Sequence, residues 1–273
     1  MRPNFFNSAD IDTPEWLILR GGTRKKRRLK VRYGVFEHPT RGPVLIDTGY
    51  TSHAVTSDRR RFLLRLYSKV LNPKLNPAGD PETALASLGL TPSDIAGVIV
   101  THFHADHVSG LALFPKAEVI ASGKAYRRIA ANSQLRNIRH GVFPELLPSD
   151  LATRLRPVET CKTKLAPPFS TAWDLFGDSS ILAIPLPGHA DGQIGLLFPN
   201  LAPPLLYAAD AQWLIDALSP GKRPGAPSCW IADDAGALAS TTDHVAAFRD
   251  AGGEVVMCHD DAPSPYDAVQ GPG

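Results

Sequence analysis

The sequence has 273 residues, of which 43% are hydrophobic, enough to bury a substantial core in one large α/β domain. Its formal net charge of +2 is nearly balanced, so overall electrostatics predict no polyanionic partner and no nucleic acid is expected. No apolar run approaches the roughly 18 residues of a membrane span. The first residues lack the basic-then-apolar layout of a secretory signal, and we therefore expect a cytoplasmic protein.

Three cysteines, Cys161, Cys229 and Cys258, occur at wide spacings along the chain. Their odd number and the lack of any Cys-x-x-Cys pair argue against a disulfide framework. Cys258 directly precedes His259 and could lie near a metal. A small buried residue on a strand is the preferred interpretation of Cys258.

The N-terminal part of the chain contains an apolar segment and a basic run. Residues 1–20 carry several aromatic and aliphatic side chains, which we expect to dock on the body of the domain. The basic run covers residues 24–30 and could bind nucleic acid or act in localisation. Because it lies between a Gly-Gly pair and strand-like residues 31–36, a solvated hairpin or an exposed strand edge is the simpler explanation.

Residues 50–80 form an excursion that begins with a basic amphipathic helix near residues 59–71. Phe62, Leu66 and Val70 fall on one helical stripe, while arginines and a lysine lie elsewhere around the turn. The helix could contact a membrane or a partner, or form a wall of a substrate pocket. Packing of the helix on its own domain, with solvated arginines, is the commoner arrangement and is our expectation.

The densest group of metal-binding side chains follows the short apolar run at residues 95–100, which is typical of a strand buried on both faces. His102, His104, Asp106 and His107 place three imidazoles and a carboxylate within six residues. Polar groups packed together in this way need compensation, which a divalent cation provides most directly. Open α/β sheets place their chemistry at the carboxyl ends of strands. The pattern therefore predicts a metal site.

Beyond this motif the pattern becomes less regular. We predict a short helix over residues 108–114, a strand over residues 117–121 and a helix over residues 124–134. Prolines divide residues 135–170 into short pieces, which indicates connecting loops and an edge strand. Residues 122–180 are therefore a second excursion, expected near the active-site face.

Three more candidate donors follow predicted strands later in the chain. The donors and the strands before them are His189 after residues 181–184, Asp210 after residues 205–209, and His259 after residues 255–258. Asp47 likewise follows an apolar run at residues 44–46. Because each side chain lies on or just beyond a strand end, one sheet edge could bring them together.

The motif His-x-His-x-Asp-His resembles the signature of the metallo-β-lactamase superfamily, and the later donors occur in the order that this superfamily uses. The resemblance implies a four-layer αββα sandwich in which residues 1–273 form a single domain, with residues 50–80 and 122–180 as the excursions. In that superfamily the Asp-x-Gly turn supports the metal ligands without being one. We carry this supporting role to Asp47.

The resemblance also implies how seven ligands share two metals: His102, His104 and His189 on one, Asp106, His107 and His259 on the second, and Asp210 between them. Nitrogen and oxygen ligands without a thiolate suit Zn²⁺, although Fe, Mn or Co could occupy the same set. The implied reaction is hydrolysis by a hydroxide that bridges the metals. Asp106 is the expected proton shuttle to the leaving oxygen, so Asp106 and Asp210 are the expected catalytic carboxylates.

The full ligand set looks most like that of the N-acyl homoserine lactone lactonases, which implies a lactone or a similar ester as substrate. Diiron reductases carry a glutamate at the position of His104, and β-lactamases lack the carboxylate that Asp210 supplies, so both are disfavoured. Those lactonases commonly have a tyrosine three residues after the bridging aspartate. This sequence has Trp213 there, a possible substrate contact.

Three alternatives to a lactonase stay open at this stage. Two are enzymes: a thioesterase of the glyoxalase II type, and a phosphodiesterase or nuclease of the ribonuclease Z type that uses residues 24–30 as a phosphate-binding strip. The third is a metal-binding or partner-binding module without catalysis. The sequence leaves the oligomeric state open, with a homodimer as one option.

Overall fold

In a computed structural model, which describes residues 1–224 and 232–269, the chain divides into two compact units. The N-terminal unit comprises Arg2–Ile11, Lys30–Arg156 and the chain from Ser264 onward. The C-terminal unit comprises mainly Asp12–Leu29 and Pro157–Pro263. Cys229 lies outside the described residues.

The larger of two sheets has seven strands. They are β1 (Asn4–Pro14), β2 (Lys26–His38), β3 (Gly42–Ile46), β4 (Lys74–Leu75), β5 (Gly97–Ile99), β6 (Glu118–Ala121) and β7 (Leu155–Pro157). Their order across the sheet is β4-β1-β2-β3-β5-β6-β7. The sheet is mixed, because β2 and β3 are antiparallel while β3, β5 and β6 run parallel.

The predicted buried strand before the histidine motif is confirmed as β5. It pairs with a parallel neighbour on each side, and its Val98 and Ile99 are fully buried. β-Branched side chains pack well on such a doubly covered strand. Because β3 and β5 are parallel, Asp47 and Thr101 emerge at the same sheet edge.

The second sheet has six strands and belongs to the C-terminal unit. They are β8 (Lys162–Ala166), β9 (Phe169–Asp174), β10 (Leu182–Pro185), β11 (Ile194–Phe198), β12 (Leu205–Ala209) and β13 (Glu254–Met257). Their order is β13-β12-β11-β10-β9-β8, antiparallel except for the β12–β13 pair. Ile184, Leu206 and Met257 belong to the buried core cluster of this unit, together with Val245.

Helices complete the α/β architecture, and the predicted α/β class is confirmed. The described helices are α1 (Glu15–Ile18), α2 (Ser52–Val55), α3 (Phe62–Leu71), α4 (Pro81–Ser87), α5 (Ala105–Val108), α6 (Gly123–Ala131), α7 (Gln134–Arg139), α8 (Leu151–Arg154) and α9 (Ala235–Asp250). Single 3₁₀ turns cover Pro77–Gly79, Pro92–Asp94, Leu111–Leu113, Pro144–Leu146, Val158–Thr160, Ile215–Leu218 and Pro220–Lys222. Among the described residues, no helix combines the length and the apolar character that a bilayer crossing requires.

Two predicted helices have different bounds in the structure. The α-helix expected over residues 108–114 is wrong: α5 starts at Ala105, directly after the extended residue His104, and ends at Val108, and Leu111–Leu113 form a 3₁₀ turn. The helix expected over residues 124–134 is two helices. Asn132 is extended, and the Ser133 side chain caps α7 by accepting from the Arg136 N–H, so the chain restarts there.

The helix predicted near residues 59–71 is present as α3, but the orientation expected of its apolar stripe is wrong. Leu64 and Ser68 are buried, whereas Phe62, Leu66 and Val70 are 75%, 48% and 73% exposed. The sequence pattern gives the periodicity of a helix but not which side faces the core. The largest apolar side chains of α3 therefore face solvent.

Residues 26–30 of the basic run lie at the start of β2. β2 has β1 and β3 as neighbours, so the expectation of an edge strand is wrong, and ion pairs account for part of the charge. Arg27 binds Glu15 at 3.0 Å and Asp261 at 2.6 Å. Lys30 lies 3.1 Å from Asp267. Part of the run is therefore neutralised by acidic residues, two of them far away in sequence.

Candidate metal centre

The N-terminal unit holds the first group of predicted donors close together. His102 and His104 lie in the loop after β5, and Asp106 and His107 lie in α5. Nε2 of His102 is 3.1 Å from Nδ1 of His104, and the ring centroids of His102 and His107 are 4.0 Å apart. His102, Asp106 and His107 are buried. A group of closely spaced and mostly buried donors such as this one suits a cation.

The Asp47 carboxylate supports this group through hydrogen bonds with Thr101 and His107. Its Oδ1 accepts a hydrogen bond from the backbone N–H of Thr101 at 2.7 Å, and its Oδ2 accepts one from the Thr101 hydroxyl at 2.8 Å. Nδ1 of His107 lies 2.9 Å from Oδ2 and donates to it. Burial raises the pKa of the Asp47 carboxyl, and the interactions with His107 and Thr101 oppose that rise. These contacts fix the orientation of the His107 ring through its Nδ1.

The turn that carries Asp47 also fixes α5. Asp47 has a φ of 58° and Gly49 a φ of 64°, left-handed values that aspartate tolerates and glycine adopts readily. A Cβ at Gly49 would overlap the Ser8 side chain. The backbone N–H of Thr48 donates to the carbonyl of His107 at 2.9 Å. The Asp-x-Gly turn thus holds both a donor ring and the helix that carries it.

A residue that the sequence reasoning missed lies against His104. Gly141 follows α7 and has a φ of 70°. A Cβ at Gly141 would lie 3.0 Å from Cδ2 and 3.2 Å from Nε2 of the His104 ring. Glycine is therefore required here both by the backbone angle and by the close approach. A glycine after a helix signals only a helix end, so no sequence feature linked it to the site.

The C-terminal unit brings together the second group of predicted donors. Oδ2 of Asp210 lies 3.0 Å from Nε2 of His259 and 3.4 Å from Nε2 of His189. All three side chains are buried. One carboxylate oxygen therefore lies near two imidazole nitrogens, a donor set that suits a divalent ion.

Strand pairing explains how Asp210 and His259 meet across 49 positions of sequence. β12 and β13 are parallel, and Ala209 lies opposite Met257 at their carboxyl ends. The Cys258 N–H extends this pairing by donating to the carbonyl of Ala209 at 3.0 Å. The residues that follow both strands therefore emerge at one edge.

The loop that carries His189 packs against the start of α9. The carbonyl of Gly188 accepts a hydrogen bond from the Asp234 N–H at 2.9 Å. Gly188 has a φ of 129°, and a Cβ there would overlap the backbone of Leu238. The position of His189 therefore depends on a glycine packed on a helix.

Two further side chains lie beside these donors. The ring centroid of Trp213 is 6.5 Å from that of His189 and 6.3 Å from that of His259, both edge to face. Cys258 is buried, as predicted, and its Sγ and the nearest ligand atoms of Asp210 and His259 all lie within 4.8 Å of one another. The expected ligand set contained no thiolate, so the structure adds a sulfur donor next to it.

Comparison with known proteins identifies the class to which this fold and these donors belong. The sequence pattern of the metallo-β-lactamase superfamily matches residues 29–212 of this chain. The chain belongs to that superfamily and has its fold, as the histidine motif predicted. It is a metallo-hydrolase of the superfamily with lactonase-like relatives, and its donor groups suit divalent metals.

Particular relatives cover most of the chain. The N-acyl homoserine lactonase AttM of Azorhizobium caulinodans is 24% identical over 254 residues, which is 85% of this chain and 82% of that protein. AttM of Rhizobium radiobacter is 26% identical over 81% of this chain and 75% of its own length. A crystal structure of B. thuringiensis AiiA with N-decanoyl-L-homoserine bound has a TM-score of 0.69 at 17% identity, covering 95% of this chain and 93% of that one.

Proposed function

We propose that the chain is a dinuclear metallo-hydrolase that opens a lactone or a similar carboxylic ester. Seven side chains would share two ions: His102, His104 and His189 on one, Asp106, His107 and His259 on the other, and Asp210 on both. Zn²⁺ is the favoured metal because the donors are imidazoles and carboxylates, with Fe, Mn or Co as alternatives. AidC, a structural neighbour with a TM-score of 0.66, is a dizinc lactonase.

One observation carries this proposal: the position of Asp210 between His189 and His259. A single carboxylate oxygen near two imidazoles, at 3.0 Å and 3.4 Å, supports the shared role proposed for Asp210. The close His102–His104 pair and the supported ring of His107 are the corresponding features of the N-terminal unit. Asp47 acts in the proposal as a positioning residue that holds His107.

The reaction divides between the metal ions and the protein side chains. Bound divalent ions lower the pKa of a coordinated water to about 7 and polarise a carbonyl oxygen. Asp106 would take a proton from the attacking water and pass it to the leaving oxygen. Its buried carboxylate lies in α5, with Oδ2 3.6 Å from Nε2 of His107. Asp210 would help to hold the metal ions through its buried carboxylate.

Trp213 is the proposed substrate contact. It lies edge to face with both His189 and His259, so a ligand that approaches these histidines would pass the indole ring. An indole offers a large apolar surface and one N–H donor. It could therefore pack on an acyl chain or donate to a carbonyl oxygen. The curated relatives AttM act on N-acyl homoserine lactones, which combine both features.

The other enzymatic interpretations have less support. A thioesterase would use the same attack on an acyl carbon, so only the substrate separates it from a lactonase. A phosphodiesterase would need the basic run as a phosphate strip, but Arg27 and Lys30 are engaged in ion pairs. These pairs favour the carboxylic ester.

The remaining proposals concern organisation and location. We propose that residues 1–273 act as one catalytic domain, with residues 50–80 and 122–180 near the active-site face. The contact of Gly141 with His104 supports this placement of the second excursion. We also propose that the protein acts in the cytoplasm.

The decisive experiment combines metal analysis with an activity panel. The purified protein, loaded with zinc, is assayed on acyl lactones, a simple ester, a thioester and an activated phosphodiester, with Asp210→Asn as the variant. Several kcal/mol of transition-state stabilisation come from a metal site, so we expect Asp210→Asn to lower lactone hydrolysis by about a thousandfold. Asp191→Asn is the control, an aspartate two residues after His189 that has no assigned role.

Three outcomes would contradict the proposal. Lactones and esters left intact by a metal-loaded protein would remove the substrate class. Full activity in Asp210→Asn would remove the bridging role. Two equivalents of metal with no turnover on any substrate would favour a binding module over an enzyme.

A further inference from the structure

Basic residues are concentrated in two segments of the N-terminal unit. Residues 50–80 and 122–140 together hold 11 of the 29 basic residues but only two of the 27 acidic residues. The rest of the chain is therefore net acidic, although the whole protein is almost neutral. A protein with this distribution attracts polyanionic surfaces through one region even without a large net charge.

Helix α3 combines this charge with exposed apolar side chains. Leu64 and Ser68 are buried and anchor the helix. Residues two positions away on a helix are rotated by about 200°, so Phe62, Leu66 and Val70 point away from the buried side. Phe62 and Val70, at the two ends of this stripe, are the most exposed. α3 therefore presents its apolar stripe outward.

A row of basic side chains borders the apolar stripe of α3. Arg65 and Lys69 each precede one stripe residue, so they lie about 100° around the helix from it, and both are exposed. The exposed Arg61 lies just before α3 as its N-cap residue and is 3.6 Å from Glu145. A helix with an apolar stripe beside basic residues is the form that lies in the headgroup region of a membrane. Cations border the stripe where anionic headgroups would lie.

Helices α6 and α7 extend the basic region. Tyr67 of α3 packs on Phe143 with ring centroids 4.8 Å apart, and Phe143 follows α7 closely in sequence. On α7, Leu135 is 72% exposed and Arg136 and Arg139 are also exposed. α6 adds three more exposed basic residues: Lys124, Arg127 and Arg128. Exposed basic residues therefore lie on three helices of one unit, and the Tyr67–Phe143 contact links α3 to the chain that follows α7.

We propose that this surface, formed by α3, α6 and α7, docks the protein on the face of a bilayer rich in anionic phospholipid. Phe62, Leu66 and Val70 would enter the headgroup boundary, and the flanking arginines and lysines would bind lipid phosphates. Each basic residue near an anionic membrane raises the binding constant about fivefold, and the exposed apolar side chains add to this. The inference is independent of the reaction proposed above.

Other occupants fit this surface less well. A second copy in a two-fold dimer would place the same basic rows against each other, which like charges oppose. A nucleic acid would match the charge but not the aliphatic Leu66, Val70 and Leu135, which offer no stacking platform. An acidic peptide would match the charge. It is separated from a bilayer by the experiment below.

Vesicle co-sedimentation of the full chain tests the proposal. We expect binding to vesicles of phosphatidylcholine mixed with phosphatidylglycerol, no binding to phosphatidylcholine alone, and weaker binding as salt rises. Phe62→Ser with Val70→Ser should lower the binding constant by about tenfold or more, as should Arg65→Glu with Lys69→Glu. The matched controls are Leu165→Ser and Lys162→Glu, exposed residues of β8, which should bind like the unmodified protein.

A spectroscopic variant keeps the test independent of folding. Phe62→Trp should show a blue shift of indole emission with the mixed vesicles and none with polyglutamate or a short single-stranded DNA. Absence of binding to the mixed vesicles overturns the proposal. So does full binding by the Phe62/Val70 double variant, which would mean simple charge adsorption, or a blue shift only with the soluble polyanions.

Discussion

The two donor groups are built by different means. In the N-terminal unit, four donors lie within six residues, and Asp47 holds their geometry through short hydrogen bonds to Thr101 and His107. In the C-terminal unit, the donors come from three strand ends, and strand register and a helix contact position them. The first group is therefore sensitive to its supporting turn, and the second is sensitive to the packing of the sheet and α9.

The largest effect on the free energy of unfolding is expected at Gly188, in the loop that carries His189. A Cβ in Gly188→Ala would overlap the Leu238 backbone, and a helix backbone cannot yield as a side chain does. We expect a loss of about 3 to 4 kcal/mol in the free energy of unfolding, measured by denaturant titration. Gly252→Ala is the control, because Gly252 also has a positive φ but nothing near its Cβ. Equal losses in both variants would show that the contact with α9 does not matter.

The next effect concerns the ion pair between Asp267 and Arg32, which makes the free energy of unfolding depend on pH in acid. Asp267 binds the buried Arg32 through two hydrogen bonds, at 2.7 Å and 2.9 Å. Burial alone would raise the pKa of Asp267, but the bonds and charges of Arg32, Ser264 and Lys30 outweigh it and lower the pKa below its ordinary value. The stabilisation is thus present above the unfolded-state pKa of about 3.9. It is lost as the pH falls through the folded-state pKa.

Asp267→Asn tests that contribution directly. It leaves the buried Arg32 without its charged partner, so we expect a loss of about 2 to 3 kcal/mol at neutral pH. The difference between variant and unmodified protein should vanish in acid, which unfolding curves recorded across the pH range would show. A constant difference at all pH values would contradict the assignment to this carboxylate.

Removing the supporting carboxylate tests the N-terminal donor group on its own. Asp47→Asn should weaken metal binding by about 10- to 100-fold, because residues behind a ligand typically contribute that much. Metal competition titration is the measurement. Asp94→Asn, an exposed helix-capping carboxylate, should leave metal affinity unchanged. If both variants bind metal normally, Asp47 serves folding only.

The smallest expected effect is on activity at Gly141, where the contact with His104 can be distinguished from the backbone strain of a positive φ. Gly141→Ala and Gly89→Ala both place a side chain at a positive φ, of 70° and 72°, and each should cost about 1 kcal/mol of stability. Only Gly141 faces the His104 ring. We therefore expect hydrolysis to fall about tenfold in Gly141→Ala alone. Equal activities would show that the contact with His104 has no role in the reaction.

The sequence predicted the features that depend on local pattern. The β-branched run before His102 predicted β5, and the position of Asp210 and His259 directly after strands predicted that both lie at one sheet edge. These residues could be found because a buried strand and a metal donor both restrict residue type strongly. The seven-ligand, two-metal arrangement itself stays a prediction.

Features that depend on tertiary contacts could not be predicted. The amphipathic pattern of α3 did not show that Leu64 and Ser68, and not Phe62, face the core. The requirement for Gly141 arises from the His104 ring, which is far away in sequence. Likewise, the basic run gave no sign that Asp261 and Asp267 would neutralise Arg27 and Lys30. In each case a partner distant in sequence decides the outcome.

The parallel pairing of β12 and β13 has a consequence for how this enzyme could diversify. Two parallel strands fix where Asp210 and His259 emerge, but they do not set the length or content of the chain that joins them. That connecting chain includes Trp213. Selection could therefore rewrite the surroundings of a bound substrate, and even insert new loops there, while both donors keep their places at the sheet edge.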